Sequence, residues 1–244
     1  MYVNSVNYSP NFDISLKKKR NIKFLILHYT GMKNELKAIA RLTNPKSKVS
    51  CHYFVKNNGS ILRILPDKYI SWHAGKSCWK GTKNLNKFSI GIEIQNPGHS
   101  HGYKKFNKRQ IKSVMNLVQK LSMKYKIKHA NILGHSDISP DRKKDPGERF
   151  PWKKILKNKK IALNYKLKYA KFKRNNNKTL NKNEKKIFLL KLKKIGYCVD
   201  RKNPENIKHC IKAFQRRFRQ DIIDGKADLE CFLILKNLIN QRFY

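Results

Sequence analysis

Long apolar runs are missing from this sequence of 244 residues. No stretch approaches the roughly 20 apolar residues that cross a bilayer, so the sequence predicts no membrane span. Residues 1–7 also have neither the basic region nor the apolar core that is typical of a secretory signal. These two absences favour the cytoplasm as the location of the protein.

Cysteines are few, and their spacing indicates no paired site. The five cysteines include no C-x-x-C pair, and their number is odd; they are Cys51, Cys78, Cys198, Cys210 and Cys231. This pattern predicts neither a disulfide framework nor a zinc site made of thiolates. We therefore expect buried free thiols, which suit a reducing compartment.

Acidic residues are scarce, with 15 Asp and Glu against 57 Lys and Arg, and the formal net charge is +42. Such a charge predicts salt-sensitive attraction to polyanions such as nucleic acid, anionic lipid or acidic wall polymer. The basic residues are spread along the chain without a recognition motif, which favours a generally basic surface over a specific nucleic-acid partner. The hydrophobic fraction of 39% still argues for a folded protein.

The segment 134–147 joins a strand end to a loop rich in Asp, Pro and Gly. His135 follows a short apolar run, and Asp145 precedes a Pro-Gly turn that would hold its backbone extended. One imidazole and one carboxylate are two of the three protein ligands that a hydrolytic zinc needs, with the fourth position left for water.

Two further apolar segments carry polar residues. His28 lies at the carboxyl end of a buried-strand pattern, where α/β sheets place ligands, and Glu93 lies within an alternating apolar strand. Taken singly, a core histidine, a structural ion pair and a turn residue are the better explanations of His28, Glu93 and Asp145. Together with His135 and Lys143, the set favours a catalytic site.

Several secondary structure elements can be predicted from periodicity and turn signals. A short helix over 34–42 should bury Leu36, Ile39 and Ala40. Apolar runs at 49–55 and 61–65 flank an Asn-Gly turn and predict a hairpin. We expect its His52 to be a core residue or to support a ligand, rather than to be a ligand itself. Further elements are a helix that begins with a capping box at residues 107–110 and a loop over 71–81, which either lines a groove or is simply packed.

The character of the chain changes after residue 152. A basic, apolar-poor stretch is followed by three short amphipathic helices over 184–195, 207–218 and 229–239. We therefore predict a catalytic domain over residues 1–165, a basic linker over 166–180 and a small all-α domain over 181–244. A three-helix unit of this size is more naturally a binding module than a catalytic one.

The sequence resembles the zinc N-acetylmuramoyl-L-alanine amidases of the AmpD/AmiD type, also called amidase type 2, and the AmiD branch more closely. The resemblance covers residues from about 20 to 155 and is carried by the segments LILHYT, SCHYFVKNNGSI, SWHAGKSCWKG, SIGIEIQNPG and GHSDISPDRKKDPGERFPW. The three carboxyl-terminal helices are similar to the peptidoglycan-binding module of that branch, through I-x-x-F-Q-x-x-F-R at 211–219 and Asp-Gly at 224–225.

The resemblance implies an α/β fold with a central mixed β-sheet flanked by helices. It also implies hydrolysis of the amide between N-acetylmuramic acid, intact or 1,6-anhydro, and the L-alanine of the stem peptide in peptidoglycan or muropeptides. Matched by position, the implied zinc ligands are His28, His135 and Asp145, and the implied catalytic residues are Glu93 and Lys143.

Two other positions are relevant to this match. Asp137 is expected to orient a ligand histidine or the following loop. Cys51 stands where related phage-type amidases place a tyrosine.

Two other classes of function compete with the amidase. One is a non-catalytic peptidoglycan-recognition protein, which loss of a zinc ligand would favour; no ligand is lost here. The other is a nucleic-acid binder driven by the net charge, which would show steep salt dependence. A wall-binding module would place the protein in the periplasm or cell envelope instead of the cytoplasm, and the sequence leaves the oligomeric state open.

Overall fold

The computed structural model describes residues 3–4, 8–16, 20–156 and 178–240. Six strands form the central sheet, in the spatial order β1 (Val3–Asn4), β5 (Ile61–Arg63), β4 (Tyr53–Val55), β9 (Ser89–Ile94), β3 (Phe24–Tyr29) and β10 (Ile132–Gly134). Two smaller sheets pair β2 (Phe12–Ile14) with β6 (Tyr69–Ser71), and β7 (Cys78–Trp79) with β8 (Thr82–Lys83).

The central sheet is mixed, as the family resemblance implies. Strands β4, β9, β3 and β10 run parallel, whereas β4 and β5 form the antiparallel hairpin that the Asn-Gly turn predicts. Strand β3, between β9 and β10, is buried over five of its six residues, which explains its continuous apolar pattern. Helices flank the sheet, so the predicted fold class is confirmed.

Seven α-helices occur in the described residues, together with short 3-10 turns at Pro45–Ser47, Leu85–Phe88, His99–His101 and His129–Asn131. The helices are α1 (Glu35–Thr43), α2 (Lys108–Tyr125), α3 (His135–Ile138), α4 (Trp152–Leu156), α5 (Lys182–Ile195), α6 (Pro204–Phe218) and α7 (Leu229–Asn240). The predicted capping box is present at the start of α2, where Asn107 and Gln110 bond each other's backbone N–H groups. None of the helices in the described residues is long and apolar enough to span a membrane.

The existence of α1 is predicted correctly, but the predicted buried face is wrong. Leu36 is 72% exposed and Ala40 is also exposed, whereas the buried residues are Ala38, Ile39 and Leu42. The predicted face and the observed buried face both include Ile39, so periodicity alone does not decide which of the two is buried. The choice is made by packing, because the buried face contacts the apolar cluster of Cys51, Phe54 and Ile64.

The three carboxyl-terminal helices, called the helical unit below (residues 181–240), share one apolar core with the sheet. A single cluster of buried side chains joins Leu25 and Leu133 of the sheet to Phe214 and Leu235 of the helical unit. Residues 166–177 of the predicted linker lie outside the described residues, and the domain boundaries stay a prediction.

The structure contradicts the prediction that every cysteine is a free thiol. Cys78 and Cys198 form a disulfide across 120 residues of sequence. The bond forms because the β7–β8 hairpin packs against the helical unit, a proximity that cysteine spacing does not reveal. The other three cysteines are buried free thiols, as predicted: Cys51, Cys210 and Cys231.

We predict that purified protein, denatured without a reductant, exposes three thiols to a colorimetric thiol reagent and five after reduction. Reduction should also lower thermal stability, because a cross-link over a loop of this length lowers the entropy of the unfolded chain, a contribution of roughly 5 kcal/mol to the free energy of unfolding. The variant Cys198→Ser should expose four thiols with or without reductant. Five thiols in the unreduced wild type would contradict the disulfide.

Candidate metal centre

The register of the central strands brings three polar side chains side by side. In the parallel pair of β3 and β9, His28 lies opposite Glu93. In the pair of β3 and β10, Leu27 lies opposite Gly134, so the next residue, His135, follows beside His28. Partners in neighbouring parallel strands point to the same face of a sheet. The strand register therefore places His28, His135 and Glu93 close together at the carboxyl ends of the parallel strands.

Asp145 reaches the histidines by a loop that folds back on α3. The backbone N–H of Ser136 donates a hydrogen bond of 2.9 Å to the carbonyl oxygen of Asp145, which places the two ends of the loop together. Oδ2 of Asp145 then lies 3.0 Å from Nδ1 of His28 and 3.1 Å from Nδ1 of His135. The two Nδ1 atoms are 3.0 Å apart, and all three residues are buried.

The spacing of these three atoms fits a small divalent metal ion. Two ligand atoms held 2.0–2.1 Å from a tetrahedral zinc stand roughly 3.3 Å apart, close to the observed separations. The three atoms belong to the one group of His, Cys, Asp and Glu side chains with metal-binding geometry in the described residues: His28, His135 and Asp145.

The protonation states of the cluster also suit a metal. Burial, reinforced by the neighbouring His135, lowers the pKa of His28 to about 4, so its imidazole is neutral and its Nδ1 can offer a lone pair. Burial acts to raise the pKa of Asp145, but the two histidines outweigh it and hold that pKa below the usual aspartate range. A neutral imidazole and an ionised carboxylate are the forms that bind a divalent cation.

The second ring nitrogens of both histidines are anchored. Nε2 of His135 lies 3.2 Å from the carbonyl oxygen of Ala74, and Nε2 of His28 lies 3.0 Å from Nδ1 of His73. A histidine that binds metal through Nδ1 carries its proton on Nε2, so His28 with a metal on Nδ1 would donate to His73. Nε2 of His73, which lies 3.0 Å from Oγ of Ser89, would then donate to that oxygen, and the Ser89 hydroxyl donates to the carbonyl oxygen of Leu85.

His73 is the residue of this centre for which the sequence predicted no role beyond a place in the 71–81 loop. The signal that could have indicated it is the strand residue Gly91, where any side chain would overlap the His73 imidazole. The other buried histidine, His52, is a core residue, one of the two predicted alternatives: its Nδ1 accepts a 3.0 Å hydrogen bond from the N–H of Gly91 and lies 2.8 Å from Oγ of Ser71.

Glu93 faces the same cavity as the cluster. Its Oε2 atom is buried and has no hydrogen-bond partner among the described residues. Burial and the nearby charge of Asp145 raise the pKa of Glu93 well above its ordinary value, while Lys143 acts to lower it. A buried carboxylate oxygen without a partner is costly in a passive structure and useful in a site that handles protons.

The cavity has a volume of about 660 Å³, and all five predicted site residues line it: His28, Glu93, Lys143, Asp145 and His135. Trp72 and His73 form part of its wall, so the 71–81 loop lines a groove, one of the two predicted alternatives. Arg142 fastens this loop, donating to the carbonyl oxygens of Ala74 at 2.6 Å and Lys76 at 2.7 Å. Two imidazoles, a carboxylate, a neighbouring glutamate and a lysine form a group typical of metal-dependent hydrolases.

Comparison with known proteins agrees with this class. The sequence model of the N-acetylmuramoyl-L-alanine amidase family matches residues 18–148, more than half of the chain. The chain is 34% identical to N-acetylmuramoyl-L-alanine amidase AmiD of Escherichia coli, in an alignment of 233 positions that covers 90% of this chain and 83% of AmiD. It is 31% identical to 1,6-anhydro-N-acetylmuramyl-L-alanine amidase AmpD of Haemophilus influenzae over 61% of this chain and 88% of AmpD.

Solved structures give the same relationship. The structure of Escherichia coli AmiD in complex with a substrate matches with a TM-score of 0.80 and 31% identity, over 94% of this chain and 93% of AmiD. This chain belongs to the N-acetylmuramoyl-L-alanine amidase family, as the sequence motifs indicated. It is therefore an enzyme, and the match to AmiD includes the helical unit.

We predict that His73→Phe, which keeps an aromatic ring but cannot accept a hydrogen bond, weakens the affinity for a divalent metal by roughly 10- to 100-fold. The reason is that His28 loses the acceptor that fixes its proton on Nε2. Trp72→Phe, one residue away in the same cavity wall, is the control and should bind metal like the wild type. Equal affinities in calorimetric titration of His73→Phe and wild type would show that this contact is dispensable.

Proposed function

We propose that this enzyme hydrolyses the amide bond between the lactyl group of N-acetylmuramic acid and the L-alanine of the stem peptide, with a zinc ion held by His28, His135 and Asp145. The observation that carries the proposal is the group of three buried ligand atoms, all within 4.8 Å of one another, at a cavity that also contains Glu93 and Lys143. The AmiD relative was solved with anhydro-N-acetylmuramic acid-L-Ala-D-gamma-Glu-L-Lys, described as its substrate.

When bound, the zinc ion supplies a water of lowered pKa and an electrophile for the scissile carbonyl. Glu93 then acts as the general base and acid. Its unpartnered Oε2 accepts the proton of the attacking water and passes it to the departing amine nitrogen of L-alanine. The raised pKa of Glu93 supports the first half of this role, because it makes the ionised carboxylate a stronger base toward the proton of the attacking water.

Lys143 stabilises the oxyanion that develops from the carbonyl oxygen during attack. It lies two residues before Asp145 and lines the same cavity. A single well-placed donor of this kind contributes on the order of 3 kcal/mol in other hydrolases.

The wider cavity suits an acidic glycopeptide. Arg41, Arg142 and Lys144 add positive charge to its lining and would attract the carboxylates of a stem peptide. The non-catalytic recognition protein is the weaker alternative, because it has no need for an unpartnered carboxylate next to three metal ligands. The net charge is still the sole argument for a nucleic-acid binder, because no nucleic-acid-binding motif is found in the described residues.

We propose the cell envelope as the location, rather than the cytoplasm that the sequence favoured. The support is the Cys78–Cys198 disulfide, because such bonds persist in oxidising compartments and are rare in the cytosol. The prediction of a cytoplasmic location depended partly on free thiols at Cys78 and Cys198, and the disulfide removes that argument.

The metal and proton roles can be separated by two variants. Asp145→Ala should lose zinc and activity together, because it removes a ligand. Glu93→Gln should keep zinc at one ion per chain but lower kcat by roughly 10²- to 10⁴-fold, because it removes the general base. Zinc is measured by elemental analysis, and turnover by mass spectrometry of the free stem peptide released from a muropeptide.

Full turnover in a zinc-free preparation, or in Asp145→Ala, would contradict the proposed mechanism. Normal turnover in Glu93→Gln would leave the metal site intact and remove Glu93 from the mechanism. Products cut at a bond other than the muramoyl-alanine amide would contradict the proposed reaction.

We also propose that residues 1–165 form the catalytic domain and that residues 181–244 bind the peptidoglycan polymer. Support comes from a groove of about 590 Å³ in the helical unit. Apolar side chains of α5 and α6 line the groove together with the turn before α7: Leu189, Ile207, Ile211 and residues 224–228. A groove that combines apolar walls with a few polar groups is the usual form of a ligand-binding site.

We predict that Leu189→Gln, which changes the groove without changing charge, lowers the fraction of protein bound to insoluble sacculi several-fold. Leu190→Gln is the control, because Leu190 is exposed on the same helix and does not line the groove. Both changes are made in Glu93→Gln protein, so that the sacculi are not digested during sedimentation. Equal sedimentation of the two variants would show that the groove does not bind the polymer.

A further inference from the structure

Asp137 is a buried carboxylate two residues after His135. It accepts hydrogen bonds from its own turn, at the end of the central sheet, and from the helical unit. Its Oδ2 accepts one of 2.8 Å from the backbone N–H of Gly134, at the turn from β10 into α3. Its Oδ1 accepts one of 2.6 Å from the hydroxyl of Tyr197 in the helical unit. Its third donor is the guanidinium of Arg217, with Nη1 at 2.7 Å from Oδ2.

Arg217 spans the segment that carries His135. While Nη1 binds Asp137, Nη2 donates a hydrogen bond of 2.8 Å to the carbonyl oxygen of Ile132 in β10. The ring of Trp152 covers the guanidinium at 4.7 Å, and the side chains of Arg217 and Asp137 are each only 1% exposed. One planar cation from α6 therefore holds residues on both sides of His135, and a buried bidentate arginine is a rigid connection.

The same connection extends to Asp145. Ser136, between His135 and Asp137, donates its backbone N–H to the carbonyl oxygen of Asp145. A shift of the 134–137 turn would therefore move two of the three ligand groups at once. Ligand atoms must hold their positions within a few tenths of an ångström for tight metal binding.

A second route links the helical unit to His135 through the 71–81 loop. The Cys78–Cys198 disulfide fastens this loop to the helical unit, and the N–H of Lys80 donates a 2.8 Å hydrogen bond to the carbonyl oxygen of Gly196. The loop also supplies the carbonyl oxygen of Ala74, which lies 3.2 Å from Nε2 of His135. The helical unit thus holds both the turn that carries His135 and the loop whose carbonyl oxygen accepts from the second ring nitrogen of His135.

We propose that Arg217 and Tyr197 are positioning residues for the metal centre, acting on His135 through Asp137. The helical unit is then a structural component of the active site, beyond any part in polymer binding. This inference rests on the proposed zinc site. It assigns to two residues of the helical unit an effect on zinc affinity that is transmitted through Asp137 and the turn that carries His135.

The test compares Arg217→Met with Arg219→Met in the full chain. Arg219 is similarly buried and lies two residues further on. It pairs with Asp228 inside the helical unit, so its loss disturbs folding but not the 134–137 turn. We expect Arg217→Met to weaken zinc affinity at least tenfold, measured by chelator competition. Arg219→Met should stay within twofold of wild type, with thermal unfolding recorded for both.

Two further variants decide the matter if Arg217→Met does not fold. Arg217→Lys keeps the charge but cannot bind Asp137 and Ile132 together, and Tyr197→Phe removes one hydroxyl. Each should weaken zinc affinity several-fold. In an Asp137→Asn background, Tyr197→Phe should have a smaller effect than in wild type, because the two residues act through one carboxylate.

Zinc affinity within twofold of wild type in the Arg217 and Tyr197 variants would overturn the inference. The inference also fails if Arg219→Met weakens zinc binding as much as Arg217→Met, because the effect would then be general instability. These outcomes differ from failure of the proposed function, in which the wild type itself would not bind zinc.

Discussion

The candidate metal centre depends on the register of three parallel strands. Strands β9, β3 and β10 align Glu93, His28 and Gly134 across the sheet. The glutamate proposed to handle protons and the two histidines proposed as ligands therefore lie together at the carboxyl ends of these strands. A slip of one residue in β3 would turn His28 to the opposite face. The apolar residues that fix this register are therefore as necessary to the site as the ligands themselves.

The helical unit reinforces that arrangement at its least regular point. His135 stands at a strand-to-helix turn, and the buried pair of Asp137 and Arg217 closes over the turn. Removing one partner of such a pair typically costs about 3–5 kcal/mol, because the other charge stays buried and unpaired. The shared apolar core and the Cys78–Cys198 bond join the helical unit to the sheet on either side of this pair.

The sequence predicts features that are encoded by neighbouring residues, and it misses those that depend on tertiary packing. Strand-end histidines, the Asn107 capping box and the Asn-Gly hairpin are encoded by neighbouring residues, and each is present in the structure. The pairing of Cys78 with Cys198 depends on tertiary packing, which spacing does not contain. Arg217 could not be recognised for a similar reason: it is one of 57 basic residues, and only its burial separates it from those that face water.

Anomalous diffraction at the zinc edge, from crystals of the full chain grown with one equivalent of zinc, tests the proposed metal centre most directly. We expect one strong peak within about 2.0–2.2 Å of Nδ1 of His28, Nδ1 of His135 and a carboxylate oxygen of Asp145. A peak bound by other residues, or no peak in a protein that folds normally, would contradict the assignment of these three ligands.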